Sequence, residues 1–359
     1  MDFGLSEDQE LLDQTVRRFL EERLPIARVR EVVESGDGID RGAWQALAEL
    51  GVAGALVPET FGGAGLALLD AAVVATALGH GAAPLPFVGS AVLATLLLRD
   101  VADGELQTRW LPALAGGGAR MGVAAAERVE ARQDAGVAED ADGLSGTALF
   151  VLDGQGADAY WVLCGDDAHF VRAGAPGLGV KPLPTIDRTR WLVELDLRDV
   201  VPDASFRGVG AAIDRVLDAG RVVLAADILG SCDRALSLSV DYALARKQFG
   251  RPIATFQAVK HMCAEMAAAI EPARSLVWYA AHAWDALPAE AALTATLCKA
   301  HLSEVGHDVM RTATQVHGGI GFTDACDLQF WFKREGLSRQ LLGGPGWLRA
   351  HAAALQGLG

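Results

Sequence analysis

The chain predicts an α+β, mainly α protein: an N-terminal helical domain, a small central antiparallel β domain and a C-terminal four-helix bundle. Three observations predict it. Apolar residues recur at helical spacing through the first third. Short runs rich in Val, Leu, Tyr, Phe and Trp, separated by Gly, Asp and Pro, fill the middle. Long Ala-rich helical patterns occupy the remainder. The expected divisions are 1–120, 121–206 and 207–359.

The elements follow in order. Ser6-Glu7-Asp8-Gln9 is a capping box opening a helix along which Leu11, Leu12, Val16, Phe19 and Leu20 fall at helical spacing. Asp40 caps a second helix carrying Trp44, Leu47 and Leu50, and Gly51 stops it. The glycines of Glu59-Thr60-Phe61-Gly62-Gly63-Ala64-Gly65 permit a loop with positive φ. Helices resume at 67–80, 87–100 and 104–114. Strands are expected at 121–126, 144–152, 159–164, 168–173, 177–183 and 189–197, with a solvated acidic loop at 127–142. Helices return at 208–247, 252–285, 288–316 and, with breaks, 324–356.

Of the 359 residues 51% are apolar and 21% charged, a globular balance. The net charge of −15 argues against nucleic acid or an anionic membrane as a partner. Any anionic ligand must then meet a local cluster of cations or helix N-termini. The five cysteines are scattered and never in C-x-x-C spacing, which predicts free thiols in a reducing compartment and no metal site. The acidic N-terminus lacks a signal-type apolar core, and no stretch is long and apolar enough to span a bilayer, so a cytoplasmic location is expected.

Two late segments stand apart from plain helix packing: Arg246-Lys247-Gln248-Phe249-Gly250-Arg251-Pro252-Ile253 followed by Phe256-Gln257, and Gln315-Val316-His317-Gly318-Gly319-Ile320-Gly321-Phe322-Thr323. Read alone, Arg246 is a cation at a helix C-terminus, and Gly318-Gly319 is an interhelical turn. With Leu5-Ser6-Glu7-Asp8-Gln9, Trp44-x-x-Leu47-Ala48-Glu49-Leu50-Gly51-Val52, Val57-Pro58-Glu59-x-x-Gly62-Gly63-x-Gly65-Leu66, Ala83-Pro84-x-Pro86-Phe87 and Asp187-Arg188-x-Arg190, they occur in an order that resembles the acyl-CoA dehydrogenase family over nearly the whole chain.

That resemblance implies FAD and an acyl-CoA thioester substrate. A carboxylate base takes the α proton while the flavin accepts the β hydride. It also implies a dimer of dimers in which each flavin lies across a subunit interface. Arg246 is then expected on the FAD diphosphate, where a guanidinium gives charge-assisted bonds. Phe249 is expected against the dinucleotide and Gln257 near its adenosine or ribitol end. Gln315, Gly318 and Gly319 would let backbone approach the adenine and diphosphate.

The family pattern is incomplete elsewhere. Where the resemblance implies a Gly-Ser-Asp type loop, the chain has Ala124-Ala125-Ala126-Glu127-Arg128-Val129-Glu130-Ala131-Arg132. Phe150 stands where a flavin-packing aromatic segment is expected, without its hydroxyl neighbour. The two family positions for the base hold Leu342 and Gly220, so no catalytic residue is assigned. Arg221, beside Gly220, is a candidate substrate contact or an ion-pair partner of Asp214 or Asp218. The reading that follows is a subunit lacking its own base and completing the FAD site of a second acyl-CoA dehydrogenase-like subunit. An α2β2 tetramer acting on bulky acyl-CoAs, steroid side-chain thioesters included, is expected. Two alternatives stay open. One is a self-sufficient FAD enzyme whose base is displaced to Glu335, Asp324, Asp327 or one of His261, His301, His307 and His317. The other is a flavin-free structural subunit.

Overall fold

The structure is a computed structural model that describes residues 4–36, 38–129 and 136–358. The N-terminal part is helical. Helix α1 spans Glu7–Arg23, α2 Ile26–Ser35 and α3 Arg41–Glu49. Helix α4 spans Leu68–His80, and a π-helical stretch at Phe87–Ala94 runs into α5, Thr95–Asp100. Helix α6, Gly104–Ala115, closes this part.

The local chemistry explains the starts. The Ser6 Oγ accepts from the Gln9 backbone at 3.3 Å while Gln9 Oε1 accepts from the Ser6 N–H at 3.0 Å, the reciprocal capping box the sequence implies. Asp40 Oδ1 accepts from the Ala43 N–H at 2.9 Å.

Eight strands form the centre: β1 Met121–Ala124, β2 Gly136–Glu139, β3 Leu144–Val151, β4 Ala159–Cys164, β5 Asp167–Arg172, β6 Leu178–Leu183, β7 Leu192–Val200 and β8 Ala204–Phe206. They make two four-stranded sheets, ordered β1-β4-β5-β8 and β2-β3-β7-β6. All pairings are antiparallel except β1 with β4, which run parallel.

Two expectations need correction here. The stretch 127–142 is not simply a solvated loop: Ala126–Val129 forms a 3-10 turn and Gly136–Glu139 is the edge strand β2. Residues 130–135 lie outside the described ones. The strand expected at 189–197 begins at Leu192, because Thr189 is held in a turn: its N–H and Oγ1 both donate to Asp187 Oδ1, at 2.8 and 2.7 Å.

The C-terminal part is α7 Gly210–Ala245, α8 Gln257–Ala286, α9 Pro288–His317, α10 Leu328–Ser338 and α11 Pro345–Leu355. Helices α4 and α7 cross almost backbone to backbone. A Cβ on Gly230 would lie 1.9 Å from the Thr76 carbonyl oxygen, and one on Gly79 would lie 2.1 Å from that of Asp227. Only glycine permits this approach. One apolar core therefore runs continuously from the N-terminal helices into the bundle. No described helix is long and apolar enough to cross a membrane.

The sheet region is fastened to the helices by buried charge. Asp227 of α7 accepts from Arg334 of α10 at 2.7 Å and pairs with Arg190, just before β7, at 2.7 Å. Arg334 also donates to Thr189 Oγ1 and to the Ala83 carbonyl, at 2.8 and 3.2 Å. Burial alone would push the Asp227 carboxyl up, but Arg190 and Arg334 outweigh it and hold it below the usual carboxylate range. A depressed folded value gives stability that is present above the unfolded carboxylate pKa, ~3.9, and lost as pH falls through the folded one. Asp227→Asn leaves two buried guanidiniums without a counter-charge and should cost about 3–5 kcal/mol in chemical denaturation at neutral pH. The difference from the natural chain should shrink in acid.

Candidate active site

A cavity of about 580 Å³ opens between the sheets and the segment joining α10 to α11. One wall is Val123, Ala125, Phe150 and Leu152; the other runs from Leu337 to Trp347. Phe150 is aimed by a local irregularity. Its φ is +54°, and the β3–β7 register shifts between Ala148 and Val151. A bulge of this kind re-aims a side chain out of the ladder. None of the described lining residues carries a carboxylate, an imidazole, an ammonium or a hydroxyl.

The two positions that family resemblance gives to the base lie against each other, and one of them, Leu342, lines this cavity. A Cβ built on Gly220 would lie 2.6 Å from Leu342 Cδ1 and 2.7 Å from Leu93 Cδ2. Leu342 is buried, with φ at +55°, and its carbonyl accepts from Arg221 Nε at 3.2 Å. Leu342, Leu93 and the bare Gly220 backbone thus form one apolar contact. Positive φ on a leucine costs energy and persists only where the surroundings impose it.

Arg221 faces a second, more polar cleft of about 920 Å³. It pairs with Asp218 at 2.6 Å and lies over the Trp347 ring at 5.2 Å, while Asp214 goes to Arg128 at 2.5 Å. Burial raises the Asp218 carboxyl to about 6 against the pull of Arg221. In the sequence Asp218 stands out only as an ion-pair partner for Arg221. That its carboxylate lines a cleft next to Trp347 depends on how α7 and α11 pack, and no local signal carries that.

The displaced-base candidates lie elsewhere. Glu335 lines neither cavity. It is buried against α9, so that a Cβ on Gly306 would lie 2.8 Å from its Cγ. Asp327 pairs with Arg30 at 2.7 Å, and Asp324 with Lys333 at 3.4 Å. His317 is buried, stacked on Tyr242 with ring centres 4.6 Å apart. None of the four candidate histidines lines the apolar cavity.

The residues expected to hold a dinucleotide gather at the other end of the bundle. The Tyr242–His317 stack joins the C-terminal ends of α7 and α9, next to the start of α8. Arg246 caps α7, donating its N–H to the Tyr242 carbonyl at 2.8 Å. Lys247–Gln248 (β9) and Arg251–Pro252 (β10) then pair as a hairpin with Phe249 and Gly250 at its tip, both with positive φ, +52° and +77°. That is the two-residue turn whose first position asparagine or glycine usually takes. Here a phenylalanine 92% exposed occupies it. Gln257 opens α8, exposed; Gln315 is exposed near the end of α9, and Gly318, φ +65°, and Gly319 follow with open space beside them. The Arg246 guanidinium has no partner among the described residues. A free guanidinium, an exposed aromatic and an open glycine turn fit the diphosphate and adenosine end of a dinucleotide. The helical rise puts Gly220 and Arg246 about 39 Å apart along α7.

Profiles of the acyl-CoA dehydrogenase N-terminal and C-terminal domains match residues 6–118 and 207–351. The chain belongs to the acyl-CoA dehydrogenase family. It is 34% identical to acyl-CoA dehydrogenase IpdE2 of Mycolicibacterium smegmatis, over 95% of this chain and 96% of that one. The Mycobacterium tuberculosis IpdE2 is 33% identical over 94% of each chain. Among solved structures, the ChsE4-ChsE5 complex from Mycobacterium tuberculosis superposes with a TM-score of 0.90 at 28% identity, covering 99% of both chains. The Tcur3481-Tcur3483 steroid ACAD G363A variant gives 0.87 at 30% identity, covering 98% of both. Members of this family are oxidoreductases acting on CH–CH bonds of acyl-CoA thioesters, with FAD as cofactor.

Two outcomes follow for the buried groups. Gly220→Ala should destabilise the fold by about 1–3 kcal/mol through overpacking, and Leu342→Ala should rescue part of that loss in a double-mutant cycle of urea denaturations. Burial raises the Glu335 carboxyl to about 7, against an unfolded value of ~4.3. Its folded form therefore favours the proton, and stability falls as pH rises between those values. Glu335→Gln should flatten that slope, read as Tm against pH. Lys299, which burial lowers to about 7, acts only above this window.

Proposed function

We propose that this chain is the half-site subunit of a heteromeric acyl-CoA dehydrogenase. It lends Arg246, Phe249, Gln257, Gln315, Gly318 and Gly319 to the FAD of a second dehydrogenase-like chain, in an α2β2 assembly. The partner brings the catalytic carboxylate. The observation that carries this reading is the Leu342–Gly220 contact: the two positions for a base close on each other, and Leu342 presents only an aliphatic side chain to the apolar cavity.

The dinucleotide-fitting group supports it from the other end. It faces away from the chain's own cavity, across about 39 Å of helix. Phe249, Phe322 (83% exposed), Leu244 and Ile320 expose apolar surface there. Apolar surface grouped in this way on a charged protein marks an interaction site. In the bound state the Arg246 guanidinium would neutralise phosphate charge, locally opposing the net charge of −15. FAD, when bound, supplies the hydride acceptor; this chain's residues hold and orient its dinucleotide end. Two solved relatives, the ChsE4-ChsE5 complex and the Tcur3481-Tcur3483 steroid ACAD, carry two-component names, and the second names a steroid. We extend the same class, a bulky acyl-CoA of steroid type, to this chain.

The test is flavin stoichiometry. Purified alone, the chain should hold little FAD and leave acyl-CoAs unchanged. Co-expressed with its partner it should give about one FAD per heterodimer, and Arg246→Ala should lower that occupancy at least tenfold. Stoichiometric flavin and turnover in the isolated chain would overturn the proposal, and unchanged occupancy in the Arg246 variant would favour a flavin-free structural role. A second reading rests on Asp218, the raised carboxyl of the polar cleft: an enzyme using it as base would be active alone and silenced by Asp218→Asn.

A further inference from the structure

Three polar side chains that no part of the flavin reading uses converge where the edge strand β2 of one sheet faces β5 of the other. Glu139 ends the edge strand β2. Asp167 and His169 alternate with Ala168 on β5, so both point to one face. Their ligating atoms all lie within 4.8 Å of one another. The His169 side chain is fully buried, 0% exposed. Its Nδ1 is engaged by Ser205 Oγ at 2.9 Å. Its Nε2 is buried without a hydrogen-bond partner and is directed at Glu139 Oε2, 3.8 Å away.

That last distance is the informative one. It is too long for a hydrogen bond, which ends near ~3.2 Å. An imidazole nitrogen sealed from water and left unpaired is costly. A divalent cation bridging the nitrogen and the carboxylates would satisfy it. Zinc binds His nitrogen and carboxylate oxygen at about 2.0–2.2 Å, which sets ligand atoms of a tetrahedron about 3.3–3.5 Å apart. Closing the group from its present spread needs side-chain movement of little more than about 1 Å. The outer contacts such a centre requires exist already. Ser205 fixes the imidazole, and the Gly208 N–H donates to Asp167 Oδ1 at 2.9 Å.

The group already attracts a cation. The Arg207 guanidinium bonds Glu139 and reaches Asp167 Oδ2 at 2.8 Å. Arg207 is half-exposed and follows the short strand β8, so it can swing into water. A guanidinium has no lone pair and leaves His169 Nε2 unanswered, whereas a metal ion answers all three groups.

The geometry points to a Zn²⁺-type divalent cation site formed by Glu139, Asp167 and His169 Nε2, with water completing the coordination and Arg207 as the side chain it displaces. The site is separate from the flavin-lending end and from both clefts.

The test is calorimetric titration of the full chain, stripped with chelator, with Zn²⁺ in a non-coordinating buffer at neutral pH. One saturable equivalent is expected. Glu139→Gln, a change at a partly exposed position, should weaken binding at least tenfold. Arg207→Ala should strengthen it at least tenfold by removing the competing cation. A Zn²⁺-dependent rise in Tm should follow the same order, since ligand binding to the folded state stabilises it. Absence of a saturable equivalent in both the natural chain and the Arg207 variant would overturn the site. So would binding that Glu139→Gln leaves unchanged, and a Zn²⁺ affinity that Arg207→Ala fails to raise.

Discussion

The buried carboxylate of Asp227 holds three parts of the chain to one another. It lies on the long helix α7, receives Arg334 from α10 and Arg190 from the approach to β7, and Arg334 in turn donates to the Ala83 carbonyl after α4. Bundle, sheets and N-terminal helices thus meet at one charge. Such a cluster is a poor source of net stability, because desolvating its ions offsets most of their attraction. What it supplies is selectivity of arrangement. If the sheets packed in another orientation, Arg190 would be buried without Asp227, at a cost of several kcal/mol. The walls of the apolar cavity come from the sheet on one side and the α10–α11 segment on the other, so their spacing depends on this fastening.

Much of the helical architecture is legible in the sequence because its signals are local. The capping box at Ser6, the Asp40 cap and the positive φ of Gly51 and Gly62 each involve neighbours within a few positions. The strands are legible as short β-rich runs, but the edge strand β2 is not. Gly136-Val137-Ala138-Glu139 has no alternation strong enough to stand out from the charged stretch around it, and it becomes a strand by pairing with β3. The displaced start of β7 has the same origin. Thr189 and Arg190 read as the first residues of an alternating strand, yet both are engaged in the buried charge cluster. Tertiary hydrogen bonding overrides propensity there.

The site divides in the same way. The hairpin tip and the Gly318–Gly319 turn are each formed by consecutive residues, and their unusual composition is visible in the sequence. The contact of Leu342 with Gly220 joins residues far apart in the chain, and family resemblance alone supplied the suspicion that they share a place. The burial of Glu335 was not legible at all. No local signal tells that it turns into the bundle beside Gly306. Lys299 on the facing helix is buried with it, so that each titrates toward neutrality. A proton acceptor needs a path to substrate as well as a raised pKa, and Glu335 has only the second.

On the half-site reading, the strain at the two ends of the molecule has opposite meanings. At the hairpin, Phe249 holds positive φ while almost wholly exposed, and its ring meets only the edge of Phe256, 6.0 Å between centres. Among the described residues only that edge contact meets the ring, and on the half-site proposal what docks at the hairpin supplies the remaining compensation. At the cavity, Leu342 holds the same region of φ, but its side chain is enclosed by Leu93 and the face of Gly220. There the compensation is internal: the leucine fills volume that would otherwise be a void, and the missing Cβ of Gly220 is what makes room for it. Under that proposal the hairpin end is the ligand-dependent part of the protein, and the contact of Leu342 with Gly220 is packing.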